Sequence, residues 1–213
     1  MAPGNGNRVI ETASLGECWL QALRLIMEQG LASRYDGLAT KEIDNLTLAV
    51  HKPDPLDELI HRHGDPGWLA WMHTNFFTQK TVTELGGALS YAVRLFNYDQ
   101  RGLDQIEWVV QRLRAQPESR SAVITTFMPL SDTSYIPCIS LLDFWMPQDS
   151  LDLVVYAHSL DFGKKAYGNL VELASLLSMV AQQLDRPMGS LTLHVKSAHI
   201  YEPEWQAMLS LAG

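Results

Sequence analysis

The segment 170–184, LVELASLLSMVAQQL, decides how the rest of the chain can be arranged. It is nearly all apolar around Glu172, and a helix that is apolar on every side is buried rather than laid on a surface. The segments on either side of it predict both long strands and further helices. We therefore expect one α+β domain whose helices, this one included, lie against a sheet.

The elements around this helix follow from periodicity and from cap and turn residues. Ser14 and Glu17 form a capping-box pattern at the start of a helix over 14–29. Alternating apolar residues predict strands, and Pro or Gly ends several elements. The predicted strands cover 43–51, 89–96, 122–127, 139–146, 151–158 and a last strand around 191–195, and further helices cover about 56–77 and 102–115. Residues 1–8 are predicted to be disordered, and residues 9–213 to form a single domain.

The composition is that of a globular protein with an acidic excess. Of the 213 residues, 46% are hydrophobic and 19% are charged, and the formal net charge is −8. Nucleic acid and anionic membranes are bound by clustered cations, so neither is an expected partner. The sequence has two cysteines, no signal-like N-terminus and no apolar stretch of about 18 residues. We expect a cytoplasmic protein with reduced thiols and no membrane span.

Cys138 is the candidate nucleophile. It follows Pro137 and directly precedes a predicted strand, so its backbone position is rigid. The thiolate is the reactive form of cysteine, whereas a lone Cys without further context is more often a structural core residue. Cys18, on the apolar side of the first helix, is predicted to be such a core residue.

Four polar residues after Cys138 have both a structural and a functional interpretation. Asn169 is either the N-cap of the buried helix or an amide that pairs with the O4 and N3–H edge of a uracil ring. His199 and Tyr201 lie two apart on a predicted strand and face the same side, as a half-buried polar pair or as partners of a sugar hydroxyl. Asp161 is either a turn residue or a partner for a guanidine-like ring edge.

The pair His61 and His63 invites a metal interpretation. Two such imidazoles share one face only in a strand, whereas a helix or loop is predicted here. The sequence therefore predicts no metal site.

Taken in order, several segments resemble the C-terminal half of thymidylate synthases. They are PESR at 117–120, the strand at 123–127, YIPC at 135–138, YAHSLD at 156–161, GN at 168–169, AQQ at 181–183 and AHIY at 198–201. The resemblance covers about residues 88–202, and the N-terminal part is similar to that of the shorter archaeal-type members. It implies a mixed sheet packed by helices, with one sheet face forming a homodimer.

The resemblance also implies methylation or hydroxymethylation at C5 of a pyrimidine, with 5,10-methylenetetrahydrofolate as the cofactor. Cys138 would add to C6 of the ring, Asn169 would hold the ring edge, and Tyr91 would be a third catalytic residue. Asp161 would bind the pterin ring of the folate. The implied substrate-binding residues are Arg120 (from the partner subunit), His158, Ser159, Asn169, Glu172, His199 and Tyr201.

Several positions that bind phosphate in the family differ in this sequence. Where the family has two adjacent arginines, this sequence has Arg120 and Ser121, and where the family has a further arginine, it has His158. A family serine near the phosphate is replaced by Glu172, whose carboxylate would repel a dianion. The histidine that follows the cysteine is Ile139, and we expect no C-terminal tail of the kind that closes over the folate. The expected acceptor is a pyrimidine nucleotide, nucleoside or related heterocycle. The altered positions favour an unphosphorylated one in a specialised biosynthesis.

Alternatives stay open from the sequence. One alternative to the transferase is a catalytically silent relative that only binds a ligand. Another is a cysteine hydrolase with His199 as the base, although no oxyanion motif supports it. The choice between a methyl and a hydroxymethyl product depends on whether water reaches the transferred carbon. Glu58 and Glu84 are the two candidates for the proton-relaying glutamate of the family.

Overall fold

The computed structural model describes residues 8–133 and 135–212, which form one α+β domain. The strands are β1 (Arg8–Thr12), β2 (Leu31–Tyr35), β3 (Leu38–Val50), β4 (Thr81–Val82), β5 (Ala88–Leu89), β6 (Ala122–Thr125), β7 (Ile139–Trp145), β8 (Leu151–Ala157), β9 (Leu160–Asp161) and β10 (Met188–Tyr201). The helices are α1 (Leu15–Gln29), α2 (Glu58–His63), α3 (Pro66–Phe77), α4 (Tyr91–Phe96), α5 (Gln105–Ala115), α6 (Ala166–Leu184) and α7 (Trp205–Ala212). Of the segment predicted to be disordered, residues 1–7 lie outside the described residues. Arg8 already belongs to β1, so the prediction is wrong there.

The large sheet is mixed. Its strand order is β1-β3-β10-β8-β7-β6, while β2 pairs with β3 and β9 pairs with β10. The two longest strands, β3 and β10, run antiparallel, whereas β10 runs parallel to β8 and β9. Because β10 extends beyond the end of β8, its C-terminal part takes β9 as its neighbour. This pairing places Asp161 opposite His199.

Helix α6 is the buried helix that the sequence predicts. It contacts α1, α3 and α5 as well as β8 and β10, and leucines such as Leu173 and Leu177 are fully buried. It begins four residues earlier than predicted, because Lys165 is the N-cap. Asn169 therefore lies in the first turn, where its N–H donates to the Lys165 carbonyl at 3.0 Å. The N-cap interpretation of Asn169 is wrong.

The predicted strand over 89–96 is also wrong. Strand β5 ends at Leu89, and Ser90 then caps helix α4 by accepting a hydrogen bond from the Val93 N–H at 3.3 Å. The buried positions of α4 are 91, 92, 94 and 95, which is helical spacing rather than alternation. Arg94 is one of these buried residues, and a rule that assigns only hydrophobic residues to the core does not predict a buried arginine.

The remaining predicted elements are present with shifted ends. The capping box of Ser14 and Glu17 starts α1, and the helical stretch 56–77 divides at Gly64 into α2 and α3. Strand β3 begins at Leu38, earlier than predicted. The structure also contains elements that were not predicted: β1, β2, β9, the small hairpin of β4 and β5, and α7.

One side of strands β6, β7 and β8 faces the core, and the side chains on the opposite side form an exposed, mostly apolar face. Register pairs Val123 with Asp143, Leu141 with Tyr156, and Asp143 with Val154, so these side chains share one face. We call it the open sheet face; its residues are Val123, Leu141, Asp143, Trp145, Asp152, Val154 and Tyr156. Trp145 is 38% exposed and Tyr156 is 42% exposed. Exposed apolar patches of this kind mark interaction surfaces.

Candidate active site

Cys138 is a half-buried residue directly before β7. Its carbonyl accepts a hydrogen bond from the His158 N–H at 3.0 Å, and the following Ile139 N–H donates to the Tyr91 hydroxyl at 3.0 Å. The backbone is thus held on both sides of the thiol. Cys18 lies in the core as predicted, and burial raises the pKa of its thiol to about 12. Of the two cysteines, Cys138 is therefore the one available for chemistry.

The pKa of Cys138 is raised above its ordinary value, although the groups around the thiol act in opposite directions. Burial raises the pKa of the thiol, and the Asp161 carboxylate adds to this rise. The Lys165 ammonium lowers the pKa, and so does a hydrogen bond with Tyr135. Lys165 is the largest influence in favour of the thiolate, which is the nucleophilic form.

Strand pairing brings Asp161, His199 and Tyr201 together. Asp161 lies opposite His199, and the His199 and Tyr201 rings meet edge to face with centroids 5.0 Å apart. Burial raises the pKa of Asp161 to about 6, helped by the Glu204 carboxylate. Burial lowers the pKa of His199, so its imidazole is uncharged at neutral pH. The turn role of Asp161 is also present, because Oδ1 accepts the Gly163 N–H at 3.1 Å.

Asn169 has a side chain whose hydrogen bonds are only partly satisfied. Its Nδ2 donates to the Lys165 carbonyl at 3.1 Å. Its Oδ1 is buried and has no hydrogen-bond partner within residues 8–133 and 135–212. A buried acceptor left without a donor costs about 1–3 kcal/mol. A ligand that presents an N–H to this oxygen would recover that free energy.

Glu172 lies one helical turn beyond Asn169 and is paired with α3. Its Oε2 is 3.1 Å from Nδ1 of His73, and the two side chains are 3% and 63% exposed, respectively. Burial raises the pKa of Glu172, and the bond to His73 opposes that rise. Gly168 permits this approach of α3, because a Cβ there would lie 3.1 Å from Cβ of Met72, the neighbour of His73.

The other three predicted substrate-binding residues have fewer contacts. His158 Nδ1 is 3.2 Å from Ser140 Oγ, and burial and the Lys196 ammonium lower the pKa of His158, so its ring is uncharged at neutral pH. Ser159 is half-buried in the turn before β9. Arg120 is exposed in the loop before β6 and makes no hydrogen bond or ion pair with any residue that the structure describes.

Sequence reasoning missed three features of this site: Lys165, Tyr135 and a buried ion pair. Lys165 precedes Asn169 by four residues, a spacing that in a helix places two residues on one face. Arg94 donates to both carboxylate oxygens of Asp132 at 2.8 Å, and Asp132 also accepts the Met128 N–H at 2.8 Å. This pair fixes the loop that leads to Tyr135 and Cys138. No local pattern connects residues 38 positions apart.

The remaining titratable candidates are exposed. Glu58 lies in the first turn of α2 and Glu84 in the 3₁₀ turn Thr83–Leu85. His61 and His63 lie on helix α2, and within the described ranges no group of three His, Cys, Asp or Glu side chains is suited to hold a metal ion. In the same part of the chain, every helix is too short or too polar to cross a membrane.

Comparison with known proteins places the chain among transferases that act on pyrimidines. Residues 43–211 match the protein-family model described as Thymidylate synthase. A protein of Methanococcoides burtonii, provisionally named a thymidylate synthase, is 29% identical over 93% of this chain and 91% of its own length. A similarly named protein of Methanothermobacter thermautotrophicus is 28% identical over 91% and 93% of the two chains. The thymidylate synthase of Mycoplasma genitalium is 30% identical over 83% of this chain and 70% of its own.

The chain therefore belongs to the thymidylate synthase family, because the family model spans most of its length. The resemblance found in the sequence is confirmed, as is the mixed sheet packed by helices. Members of the family methylate C5 of a pyrimidine with methylenetetrahydrofolate.

Proposed function

We propose that this protein transfers a one-carbon unit from 5,10-methylenetetrahydrofolate to C5 of a pyrimidine through a transient covalent bond at Cys138. The observation that carries the proposal is the setting of the thiol. The Cys138 residue is half-buried, and the charges of Lys165 and Asp161 act on the pKa of its thiol in opposite directions. The Lys165 carbonyl also accepts a hydrogen bond from Nδ2 of Asn169, whose Oδ1 has no partner among the described residues. Family membership supplies the class of chemistry.

In the proposed reaction, the Cys138 thiolate adds to C6 of the ring, and an electron pair moves to C5 and, by conjugation, to O4. C5 thereby becomes the nucleophile, and the folate supplies the electrophilic carbon. Asn169 Oδ1 is free to accept the ring N3–H. The Tyr91 hydroxyl already accepts from Ile139, so its own proton remains free to donate. Loss of the C5 proton would let the bond between the transferred carbon and the folate nitrogen break, which releases tetrahydrofolate and leaves an exocyclic methylene. Hydride from tetrahydrofolate would convert this carbon to a methyl group, or water to a hydroxymethyl group, and departure of Cys138 restores the ring double bond.

The side chains present suit a folate at this site. Asp161 is a half-buried carboxyl whose pKa of about 6 leaves it mostly ionised at neutral pH. A carboxylate accepts two adjacent N–H groups, such as those of a pterin amide edge. We propose Asp161 as the pterin-binding residue. His199 and Tyr201 are proposed to contact a sugar hydroxyl, because their rings lie side by side at the end of β10.

We propose further that the acceptor lacks a 5′-phosphate and belongs to a specialised biosynthesis. Phosphate is bound best by guanidinium groups in bidentate geometry. His158 is uncharged at neutral pH, Ser121 offers no charge, and Glu172 places a buried carboxyl one turn from Asn169. Ser159 would contact the acceptor as a neutral hydroxyl.

A panel of acceptors tests this proposal. The protein is incubated with methylenetetrahydrofolate and pyrimidine bases, nucleosides or 5′-monophosphates, and products are identified by mass spectrometry. A gain of CH2 indicates methylation and a gain of CH2O indicates hydroxymethylation. Turnover of a monophosphate alone would refute the proposed acceptor class. If no compound turned over and none formed an adduct, the protein would be the silent ligand-binding relative instead.

We also propose a homodimer formed through the open sheet face, in which Arg120 completes the partner's site. The face is mostly apolar, and Asp143 contributes a buried oxygen that has no hydrogen-bond partner among the described residues. Mixing Arg120→Ala with Cys138→Ser subunits tests the shared site. If Arg120 acts across the interface, mixed dimers contain one complete site and regain activity. If it acts within its own subunit, mixing restores nothing.

A further inference from the structure

We propose that the ammonium groups of Lys164 and Lys165, held beside the Trp68 ring, form a binding site for a carboxylate carried by a bound small molecule. The choice of ligand rests on the proposed function, because the folate of that reaction ends in aminobenzoylglutamate, an aromatic ring followed by carboxylates. None of the segments that carry the family resemblance includes these three residues.

The side chains of this site lie together in the structure. Nζ of Lys164 is 4.9 Å from the centroid of the Trp68 ring, and Nζ of Lys165 is 5.9 Å from it. The Trp71 ring meets the Trp68 ring edge to face, with centroids 5.3 Å apart. All four residues, which we call the lysine–tryptophan cluster, are half-buried. The cluster therefore combines two cations with aromatic surface at a place that solvent still reaches.

The cluster lies where the starts of α3 and α6 meet. The Trp68 N–H donates to Oδ1 of Asp65, the N-cap of α3, at 2.9 Å. The Asp65 N–H donates in turn to the hydroxyl of Tyr167, in the first turn of α6, at 3.2 Å. A Cβ at Gly64 would lie 3.0 Å from the Tyr167 ring, so glycine permits this approach. A substitution of either lysine side chain leaves these contacts between the two helices in place.

The cluster has hydrogen-bond donors but, within residues 8–133 and 135–212, no acceptor to match them. Neither lysine forms an ion pair or a side-chain hydrogen bond there. The Nε1–H of Trp71 is buried and also has no partner among these residues. In a chain with 24 Asp and Glu against 16 Lys and Arg, two unpaired neighbouring cations are unexpected. A carboxylate, which only accepts hydrogen bonds, complements such a set of donors.

Local structure does not explain the two lysines. Lys165 is the N-cap of α6, where Ser, Thr, Asp and Asn are preferred, and its side chain makes no capping hydrogen bond. The positive end of a helix dipole disfavours cations and favours an anion. Lys164 and Lys165 are therefore mildly unfavourable at this end of α6 in the free protein, and a bound anion would reverse that effect.

The position of the cluster favours folate as the source of the carboxylate. The Lys165 N–H donates to the Asp161 carbonyl at 3.0 Å, and the Gly163 N–H donates to Oδ1 of Asp161 at 3.1 Å. The two lysines thus follow on the turn that carries the proposed pterin-binding carboxylate. Folate has the matching polarity, with N–H groups on its pterin and carboxylates at its other end. A carboxylate on the acceptor is the second source, and a separate pair of ligands distinguishes it.

Isothermal titration calorimetry tests the site without turnover. Wild type, Lys164→Gln, Lys165→Gln and the double variant are titrated with folic acid and with 6-methylpterin, which lacks the aminobenzoylglutamate. Uridine 5′-carboxylic acid and uridine form the acceptor pair, and the folate titrations are run with and without uridine. Lys52→Gln is the matched control, because Lys52 is exposed and lies outside the cluster. Far-ultraviolet circular dichroism verifies that each variant is folded.

We expect each single Gln variant to bind folic acid about fivefold more weakly, and the double variant about twentyfold, as for half-exposed ion pairs whose effects add. Binding of 6-methylpterin should not change, and Lys52→Gln should behave as wild type. Lys164→Arg keeps the charge and should retain most of the affinity. A loss confined to uridine 5′-carboxylic acid would support the site and identify the acceptor as its ligand.

Three results would overturn the proposal. They are equal affinity of the wild type and the double variant for both carboxylate ligands, an equal loss for 6-methylpterin, and a wild type that binds neither carboxylate ligand. Failure of the proposed function has a different signature, because it would be a lack of product in the acceptor panel with these affinities in place.

Discussion

Replacing Glu172 by Gln separates the stability cost of a buried carboxylate from its use in the site. The Glu172 side chain is 3% exposed, whereas its partner His73 is 63% exposed. Gln keeps the shape and an oxygen 3.1 Å from His73 Nδ1, but it cannot ionise. We therefore expect Glu172→Gln to raise the free energy of unfolding at neutral and higher pH.

The magnitude follows from the asymmetry of the pair. Burying an ion costs several kcal/mol, while an exposed partner returns about 1 kcal/mol or less. We expect a net gain of about 1–2 kcal/mol from the neutral variant. Burial raises the pKa of Glu172 in the folded protein, so the penalty is absent below the unfolded pKa. It then grows as the pH rises through the folded pKa, by at most about 1.4 kcal/mol per pH unit.

Urea denaturation at roughly pH 5 and pH 8 measures this difference, since stability changes with pH where the bound protons of the two states differ. The gain from Glu172→Gln should be larger at the higher pH, and Glu118→Gln, which removes an exposed carboxylate, should show little change. If the free energy of unfolding of Glu172→Gln fell by more than about 1 kcal/mol at both pH values, the expected gain would be contradicted, because the Glu172–His73 pair would then be net stabilising.

Tyr91→Phe removes the acceptor of the Ile139 N–H, so urea denaturation should show a loss of about 1–3 kcal/mol; an unchanged midpoint would contradict the 3.0 Å bond. Asp132→Ala leaves the buried Arg94 guanidinium unpaired, and we expect a loss of about 3–5 kcal/mol by the same measurement. A loss of unfolding free energy below about 1 kcal/mol would show that water reaches the Arg94 guanidinium. Trp145→Asp puts a charge on the open sheet face and should give a monomer by light scattering with its circular dichroism retained, whereas an intact dimer would count against the proposed interface.

The sequence predicted the fold best where apolar runs are long and their period is unambiguous. Helix α6 and strands β7 and β8 have such runs, and each is present. The run 91–96 has six residues and satisfies both periods, and the capping residue Ser90 was the signal that would have decided for a helix. Strand β1 has only five residues, too few for a clear alternating pattern, and it is defined by its pairing with β3.

The candidate site was predicted through motif order rather than through geometry. No periodicity rule places Asp161 opposite His199, because that contact depends on β9 pairing with the far end of β10. Lys165 lies before the predicted helix and between the segments 156–161 and 168–169 that carry the resemblance, so neither pattern includes it. The pairing of Glu172 with His73 depends on the approach of α3 at Gly168, which only the packed structure reveals.

Cys138 is proposed to form a covalent bond to the ring of the acceptor, and that bond can be trapped and observed. The 5-fluoro analogue of the turned-over acceptor blocks release, because fluorine at C5 cannot leave as the proton does. With methylenetetrahydrofolate present, intact mass spectrometry should show one pyrimidine and one folate added, and peptide mapping should locate them on Cys138. Cys138→Ser should show no addition. A wild-type protein that turns over its acceptor without ever forming this adduct, or a serine variant that keeps its activity, would contradict the account.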